Sequence, residues 1–135
     1  MIIQEVPVAY VNQIWPQVEG FIADALQHSH GEYTADDARV FAVTGGWHLV
    51  VAAMDDGAIR GAALVAFFDR PRDRVAFVMA IGGRLVTSVD TWHQFEDIMR
   101  SNGATCLEGA ARESIARLWS RYGMQHKYSI VGKSL

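Results

Sequence analysis

Apolar residues recur at helical spacing in the first third of the chain. A short apolar stretch at Ile2 to Val6 predicts a strand, and Pro16 suits the first turn of a helix. That helix is predicted to end near His28. A second, shorter helix is predicted after Thr34, because Thr34 can cap it and Gly45-Gly46 can end it. The apolar stripe of the first helix consists of Val18, Phe21, Ile22, Ala25 and Leu26.

Three continuous apolar runs follow in the middle of the chain. They extend over Trp47 to Ala53, Ile59 to Phe68 and Arg74 to Ile81, and short turn sequences separate them. Because these turns are too short to contain a crossover helix, the runs are predicted to be adjacent antiparallel strands, buried on much of both faces.

The last third alternates between helical and strand patterns. Ser88 can cap a helix that Asn102-Gly103 would close, and Ala104 to Glu108 predicts a short strand. A further helix ends at Gly123, and Tyr128 to Val131 predicts a last strand.

The element order is strand, helix, helix, three strands, helix, strand, helix, strand. It predicts an α/β (α+β) fold in which a mixed, mostly antiparallel sheet has helices on both faces. Gly82 and Gly83, at the end of the third long strand, are the expected place for a ligand to approach the backbone.

Composition narrows the class of protein. A chain of 135 residues that is 50% apolar is expected to form one domain, residues 1–135, around a single core. The formal net charge of −3, without blocks of like charge, argues against nucleic acid and anionic membranes as partners. A single cysteine, Cys106, excludes an intrachain disulfide and a zinc site of paired cysteines. With no secretion signal or membrane span recognised, a cytoplasmic location is expected.

One segment near the end of the chain has a family pattern. Ile115 to Met124 resembles the A-x-x-L-Y-x-x-x-G-F helix and turn of the GNAT N-acetyltransferases, with Trp119 and Met124 in place of tyrosine and phenylalanine. The element order resembles that fold over essentially all 135 residues. The chain is also similar to small GNAT-like proteins of tailed bacteriophages and prophages, through Trp15-Pro16, Gly31-Glu32-Tyr33-Thr34 and Gly83-Arg84.

The resemblance implies acetyl-CoA or another acyl-CoA as cofactor. In the family, a Q/R-x-x-G-x-G/A loop presents backbone N–H groups to the pyrophosphate. The corresponding positions here are Ile81, Gly82, Gly83, Arg84 and, at the next helix, Ser88, although the spacing of the family motif is absent. The alternative is that the two glycines simply allow a bulge or a turn.

The catalytic groups that the resemblance implies are missing. Acyl transfer to an amine needs a base and usually an acid, yet Arg74 to Ile81 contains no carboxylate and Trp119 cannot titrate near neutral pH. Glu108 is the candidate for a relocated general base. The alternative is that Glu108 is a solvated strand end or a cap for the following helix.

Two other groups have an ordinary structural interpretation beside a functional one. Cys106 is a nucleophile only if a histidine contacts it, and otherwise is a small buried residue. His28, His30 and Glu32 lie in one short loop that suits either an acceptor substrate or a solvated helix end. Because no third ligand is suitably spaced, we assign no metal site.

Two hypotheses for function follow. The first is an acyl-CoA-dependent N-acyltransferase-like protein with eroded catalytic residues, acting on an unknown amine. The second is a non-catalytic GNAT-like scaffold that serves as a phage virion, head-tail or host-interaction component, with other phage virion proteins as partners and the host cytoplasm or the virion as its location. Fold alone does not decide between them.

Overall fold

Five strands form one sheet in the order β1-β2-β3-β4-β5 in a computed structural model that describes residues 1–135. The elements are β1 (Ile2–Glu5), α1 (Val8–Leu26), α2 (Ala35–Val43), β2 (His48–Ala53), β3 (Ile59–Asp69), β4 (Arg74–Gly83), α3 (Val89–Ser101), β5 (Cys106–Gly109) and α4 (Glu113–Ser120).

Strands β1 to β4 pair antiparallel with their sequence neighbours, and β5 pairs parallel with β4 after the crossover through α3. The predicted sheet class and the three predicted adjacent strands are therefore confirmed. No helix is both long and apolar enough to cross a membrane.

The helices cover both faces of the sheet, and each face has its own apolar cluster. Trp15 and Ile22 of α1 pack with Ala38 and Ala42 of α2 against Leu64 on one face. On the other face the sheet packs against α3 and α4, whose main contributions are Trp92, Phe95, Met99 and Trp119. The sheet is consequently buried on both sides, which explains why β2 to β4 are continuous apolar runs rather than alternating ones.

Helix α1 begins earlier than the sequence predicts. It starts at Val8, and Pro16 lies inside the helix rather than in its first turn. The prediction was wrong because the buried stripe continues back through Trp15 to Val11. Burial of those side chains outweighs the hydrogen bond that an exposed internal proline removes.

The predicted helix caps are confirmed. Thr34 Oγ1 accepts a hydrogen bond from the Asp37 amide at 3.1 Å, and Ser88 Oγ accepts one from the Thr91 amide at 3.1 Å. Gly103, just after α3, has a φ of +85°, the left-handed conformation that glycine adopts without strain.

The last predicted strand is absent. Residues 124–135 form neither helix nor strand, and Tyr128 to Val131 is exposed. The sequence pattern identified a segment with strand propensity, but a strand also needs a hydrogen-bonded neighbour, and no backbone hydrogen bond joins these residues to the sheet.

Candidate functional site

The candidate site is a cleft at the point where β4 and β5 separate. The two strands pair only from Val75 with Cys106 to Val78 with Gly109. From Met79 onwards this edge of β4 has no strand beside it, and a cavity of about 130 Å³ opens there. Its lining is mainly apolar and includes Leu26, Met79, Ile81, Ala111, Ile115 and Trp119.

A β-bulge in β4 marks the start of this cleft. Val65 pairs with Val78 and the preceding Leu64 pairs with Ala80, so Met79 is an extra residue on β4. The bulge reverses the faces: Val78 packs with α3 and α4, whereas Ala80 packs with α1. Bulges often occur beside functional sites, where they redirect side chains. The bulge could not be predicted from the sequence. Because β4 is apolar at consecutive positions, no apolar–polar alternation is present whose interruption would mark the extra residue.

Polar groups lie at the rim of the cavity. His28 and Ser29, just after α1, line it from one side, and Arg112, the N-cap residue of α4, lines it from the other. His30 and Glu32 belong instead to a local turn, in which the His30 amide donates to Glu32 Oε2 at 2.8 Å. No group of three His, Cys, Asp or Glu side chains is arranged to hold a metal ion.

The two glycines predicted to approach a ligand approach the protein itself. A Cβ at Gly82 would collide with the backbone oxygen of Phe21 in α1. Gly83 has a φ of +70°, and a Cβ there would lie 2.6 Å from the carbonyl oxygen of Arg60. Close packing of α1, β3 and β4 therefore requires both glycines, whether or not a ligand binds beside them.

Several backbone amides of the loop after β4 are already hydrogen-bonded. The Arg84 amide donates to the Arg60 carbonyl at 2.8 Å. Those of Thr87 and Ser88 donate to Thr91 Oγ1 at 2.9 and 3.0 Å. The remaining loop amides, of Leu85 and Val86, have no hydrogen-bond acceptor within the protein. Leu85 is buried and its amide nitrogen packs against Gly61, so Val86 offers the one accessible free donor of these two. A pyrophosphate-binding loop presents a continuous series instead.

The loop after β4 has both a positive and a negative side chain nearby, which act in opposite directions on an anionic ligand. Arg84 is exposed and forms no ion pair, so its guanidinium is available to an anion. Asp90 lies in the first turn of α3, where it accepts a hydrogen bond from Gln94 Nε2 at 2.8 Å. A carboxylate at that position weakens the attraction of the helix N-terminus for phosphate.

Glu108 forms two ion pairs on the outer strand β5. Arg70 of the β3–β4 turn contacts both carboxylate oxygens, at 2.5 and 2.9 Å, and Lys127 Nζ contacts Oε2 at 2.7 Å. The hydrogen bonds from Arg70 and then Lys127 lower the pKa of Glu108 from 4.5 to about 2. We call Arg70, Glu108 and Lys127 the Glu108 clamp.

The Glu108 clamp does not provide a free base. The side chain is 8% exposed and is not among the residues that line the cleft. A carboxylate with so low a pKa holds a proton poorly near neutral pH. Sequence analysis could not foresee this, because Arg70 and Lys127 lie 38 and 19 residues away along the chain.

Trp119 and Cys106 occupy structural positions. Trp119 is buried and packs against Gly109, where a Cβ would lie 2.9 Å from the ring. It borders the cleft but offers no titrating group. Burial raises the pKa of the Cys106 thiol, and no histidine is hydrogen-bonded to it, so this thiol lacks the activation that a nucleophile needs.

Comparison with solved structures identifies the fold. The chain superimposes on a soil metagenomic aminoglycoside acetyltransferase in complex with sisomicin with a TM-score of 0.70 at 9% identity, covering 98% of this chain and 95% of that one. It matches ribosomal-protein-alanine N-acetyltransferase from Brucella melitensis biovar Abortus 2308 with a TM-score of 0.67 at 12% identity, over the full length of both chains. This chain has the GNAT fold.

A third similar structure is glucosamine-6-phosphate N-acetyltransferase from Arabidopsis thaliana, with a TM-score of 0.62, 12% identity and coverage of 98% and 96%. Comparison of the sequence with protein-family models and with curated proteins gives no match. The similarity therefore lies in the arrangement of the backbone, because so few side chains are shared.

The cleft fits part of an acyl-CoA molecule better than the rest. The free edge of β4 beside an apolar cavity suits the part of acyl-CoA that carries the thioester and the amide groups, because amides can hydrogen-bond to an unpaired strand edge. The loop after β4 suits the phosphates less well, because it has one accessible free amide in Val86, one unpaired cation in Arg84 and a carboxylate nearby in Asp90.

Proposed function

We propose that the protein is an acyl-CoA-dependent N-acyltransferase-like protein whose chemistry depends on positioning. The observation that carries the proposal is the free edge of β4 from Met79 to Ile81, which borders the apolar cavity. Unpaired N–H and C=O groups of a strand edge bind an extended amide-containing ligand as a further strand would. Acyl-CoA supplies an activated acyl group when bound there.

Arg84 and the amide of Val86 would hold the phosphates of the cofactor. A guanidinium binds phosphate with two parallel hydrogen bonds, and free backbone amides add further donors. Ile81 would lie beside the part of acyl-CoA that carries the thioester. Gly82 and Gly83 set the position of the loop, and Ser88 caps the start of α3.

Turnover is expected to be slow, because acid-base assistance is weak. General acid-base groups commonly contribute ~10²- to 10⁴-fold each. Trp119 cannot donate a proton, and Glu108 would have to leave both Arg70 and Lys127 before it could accept one. Holding the amine and the thioester together can still supply several kcal/mol of the barrier.

Calorimetric titration with acetyl-CoA tests binding. Ala111→Trp should weaken binding at least ~10-fold by filling the cleft, since Ala111 is exposed and lies outside the helices and strands. Arg84→Glu should weaken it similarly through repulsion of phosphate. The matched control is Arg72→Glu, an exposed arginine at the opposite end of β4, which should bind normally. Failure of the unaltered protein to bind acetyl-CoA would overturn the proposal.

A turnover assay addresses the acceptor and the catalytic groups. The amines to compare are those that the similar structures suggest: an aminoglycoside, glucosamine-6-phosphate and a peptide with an N-terminal alanine. Rapid turnover that is unaffected in Glu108→Gln would exclude Glu108 as the base. A gain in Trp119→Tyr would identify position 119 as the place of a lost acid.

The second candidate function is a non-catalytic scaffold. It is supported by two observations: Glu108 is ion-paired within the protein, and the amides of Arg84, Thr87 and Ser88 are already hydrogen-bonded there. Its proposed setting, from the phage-type segments of the sequence, is a virion, a head-tail assembly or a contact with a host protein. Under this proposal neither acetyl-CoA binding nor turnover is expected, and genes for capsid and portal proteins are expected nearby.

A further inference from the structure

The ionisable side chains that line the cleft are all basic. The whole chain has 15 acidic side chains against 12 lysines and arginines, so acidic residues are in excess. The cleft nevertheless contains Arg112 and His28 and no aspartate or glutamate. An imidazole is neutral or positive and never negative near neutral pH. The cleft therefore offers no side chain that could pair with an ammonium group.

The acidic residues next to the cleft along the chain do not line it. Glu108 lies just before the lining residue Ala110, but its carboxylate is paired within the Glu108 clamp. Glu113 follows Arg112 directly and is exposed, yet it is not part of the cavity wall either. No carboxylate consequently shares the cavity with Arg112.

The guanidinium of Arg112 is free to bind a ligand. It forms no ion pair, and although Arg112 is the N-cap residue of α4, its side chain does not cap that helix. A guanidinium binds a phosphate or a carboxylate through two parallel hydrogen bonds. The amides of Arg112, Glu113 and Ser114 have no acceptor within the protein and can add donors. Because the Glu113 carboxylate weakens that second contribution, Arg112 is the main anion-binding group of the cleft.

We infer that the acceptor amine carries a negatively charged group, a phosphate or a carboxylate, and that Arg112 binds it. The inference rests on the acyltransferase proposal, since it names the class of acceptor for the same cleft. An amine whose other charges are all positive is repelled by Arg112 and finds no carboxylate there. A nearby positive charge also favours the neutral form of an amine, which has the free lone pair that acylation needs.

Binding to matched pairs of amines tests the inference. Phosphoethanolamine is compared with ethanolamine, and β-alanine with its amide, by NMR titration of isotope-labelled protein. In at least one pair the anionic amine should bind ~10-fold more tightly or better, because charge-assisted hydrogen bonds are the stronger ones. The chemical shifts of Ala110 to Arg112 should change most. The first pair tests phosphate and the second carboxylate, and equal affinities within both pairs would refute the inference.

Substitution of Arg112 assigns the anion to this side chain. Arg112→Gln should weaken binding of the preferred anionic amine at least ~10-fold and leave its uncharged counterpart unaffected. Because the Arg112 side chain caps nothing, stability should not change. Arg112→Glu should reverse the preference within the pair. Arg117→Gln, an exposed arginine of α4 that does not line the cavity, is the control. Binding that survives unchanged in Arg112→Gln would overturn the assignment.

The titrations also separate this inference from the acyltransferase proposal. They are run on the protein alone and again with coenzyme A, which has no acyl group to transfer. A preference for anionic amines in a protein that does not bind acetyl-CoA would remove the acyltransferase proposal and retain the anion site. Acetyl-CoA binding without that preference would do the reverse. If no amine bound under either condition, the inference would be wrong.

Discussion

The β1–β4 half of the molecule and the β5–α4 half are held together in different ways. Four antiparallel strands form the first half, and glycines let α1 and β3 approach β4 backbone to backbone. The second half rests on a four-residue parallel pairing, the Glu108 clamp and the packing of Trp119. The cleft lies at their junction. Ligand sites commonly belong to the less firmly held part of a fold. We therefore expect substitutions in the two halves to lower the free energy of unfolding by different amounts.

The largest expected effect comes from Gly82→Val in the first half. Its side chain would meet the backbone oxygen of Phe21, which cannot move without shifting α1. The free energy of unfolding should fall by roughly 4 kcal/mol or more, measured by urea denaturation. Gly20→Ala is the control, because a Cβ there meets nothing and alanine favours the helix. If Gly82→Val were well tolerated, the close approach of α1 to β4 would be wrong.

Glu108→Gln tests the second half and should cost about 2 kcal/mol. That value lies between an exposed ion pair, ~0–1 kcal/mol, and a fully buried one, ~3–5 kcal/mol, because Glu108 is buried while Arg70 and Lys127 are partly exposed. Asp97→Asn, which removes an exposed pair with Arg100, should change stability by less than ~0.5 kcal/mol. Equal effects of the two substitutions would show that the clamp adds nothing to an ordinary surface pair.

The clamp also predicts a pH dependence. The folded-state pKa of Glu108, about 2, lies below its ordinary value of 4.5, so the unfolded chain takes up the proton first as the pH falls. The stability from the clamp is complete above pH 4.5 and is lost between pH 4.5 and about 2. The difference in unfolding free energy between the unaltered protein and Glu108→Gln should shrink over that interval. A difference that stayed constant with pH would mean that Glu108 is not held as a carboxylate.

The smallest expected effect is at the edge of the sheet formed by β1. Gln94→Ala removes the side chain that bonds the Ile3 amide and should cost about 1 kcal/mol. Hydrogen exchange should accelerate at Ile3 and remain unchanged on β3 and β4. Glu96→Ala, two residues further along α3, is the control. Unchanged exchange at Ile3 would mean that Gln94 does not protect this edge.

Much of the fold could be predicted from the sequence because its signals are local. Thr34 and Ser88 cap helices through residues three positions away, and the short turns on either side of β3 leave antiparallel pairing as the only outcome. Pro16 was misread because its local preference for a helix start was outweighed by burial of Trp15. The strand predicted at Tyr128 to Val131 failed because pairing depends on a neighbour.

The cleft was less predictable because its features depend on contacts between distant segments. The partners of Glu108, the contacts of Gly82 with α1, and the pairing of the loop amides with Arg60 and Thr91 all arise only after folding. The resemblance pointed to the loop after β4, but not to the hydrogen bonds that its amides form within the protein.

The extra residue at Met79 makes this protein sensitive to changes in length. Deleting one residue from β4 at the bulge would exchange the faces of every position from Ala80 to Gly83, moving Gly82 away from α1 and a larger side chain towards it. Substitutions can therefore adjust the lining of the cleft one side chain at a time, whereas an insertion or deletion there would change the core and the cleft together. Variation in length is consequently expected in the Asp55–Gly57 and Arg70–Asp73 turns rather than in the middle of β4.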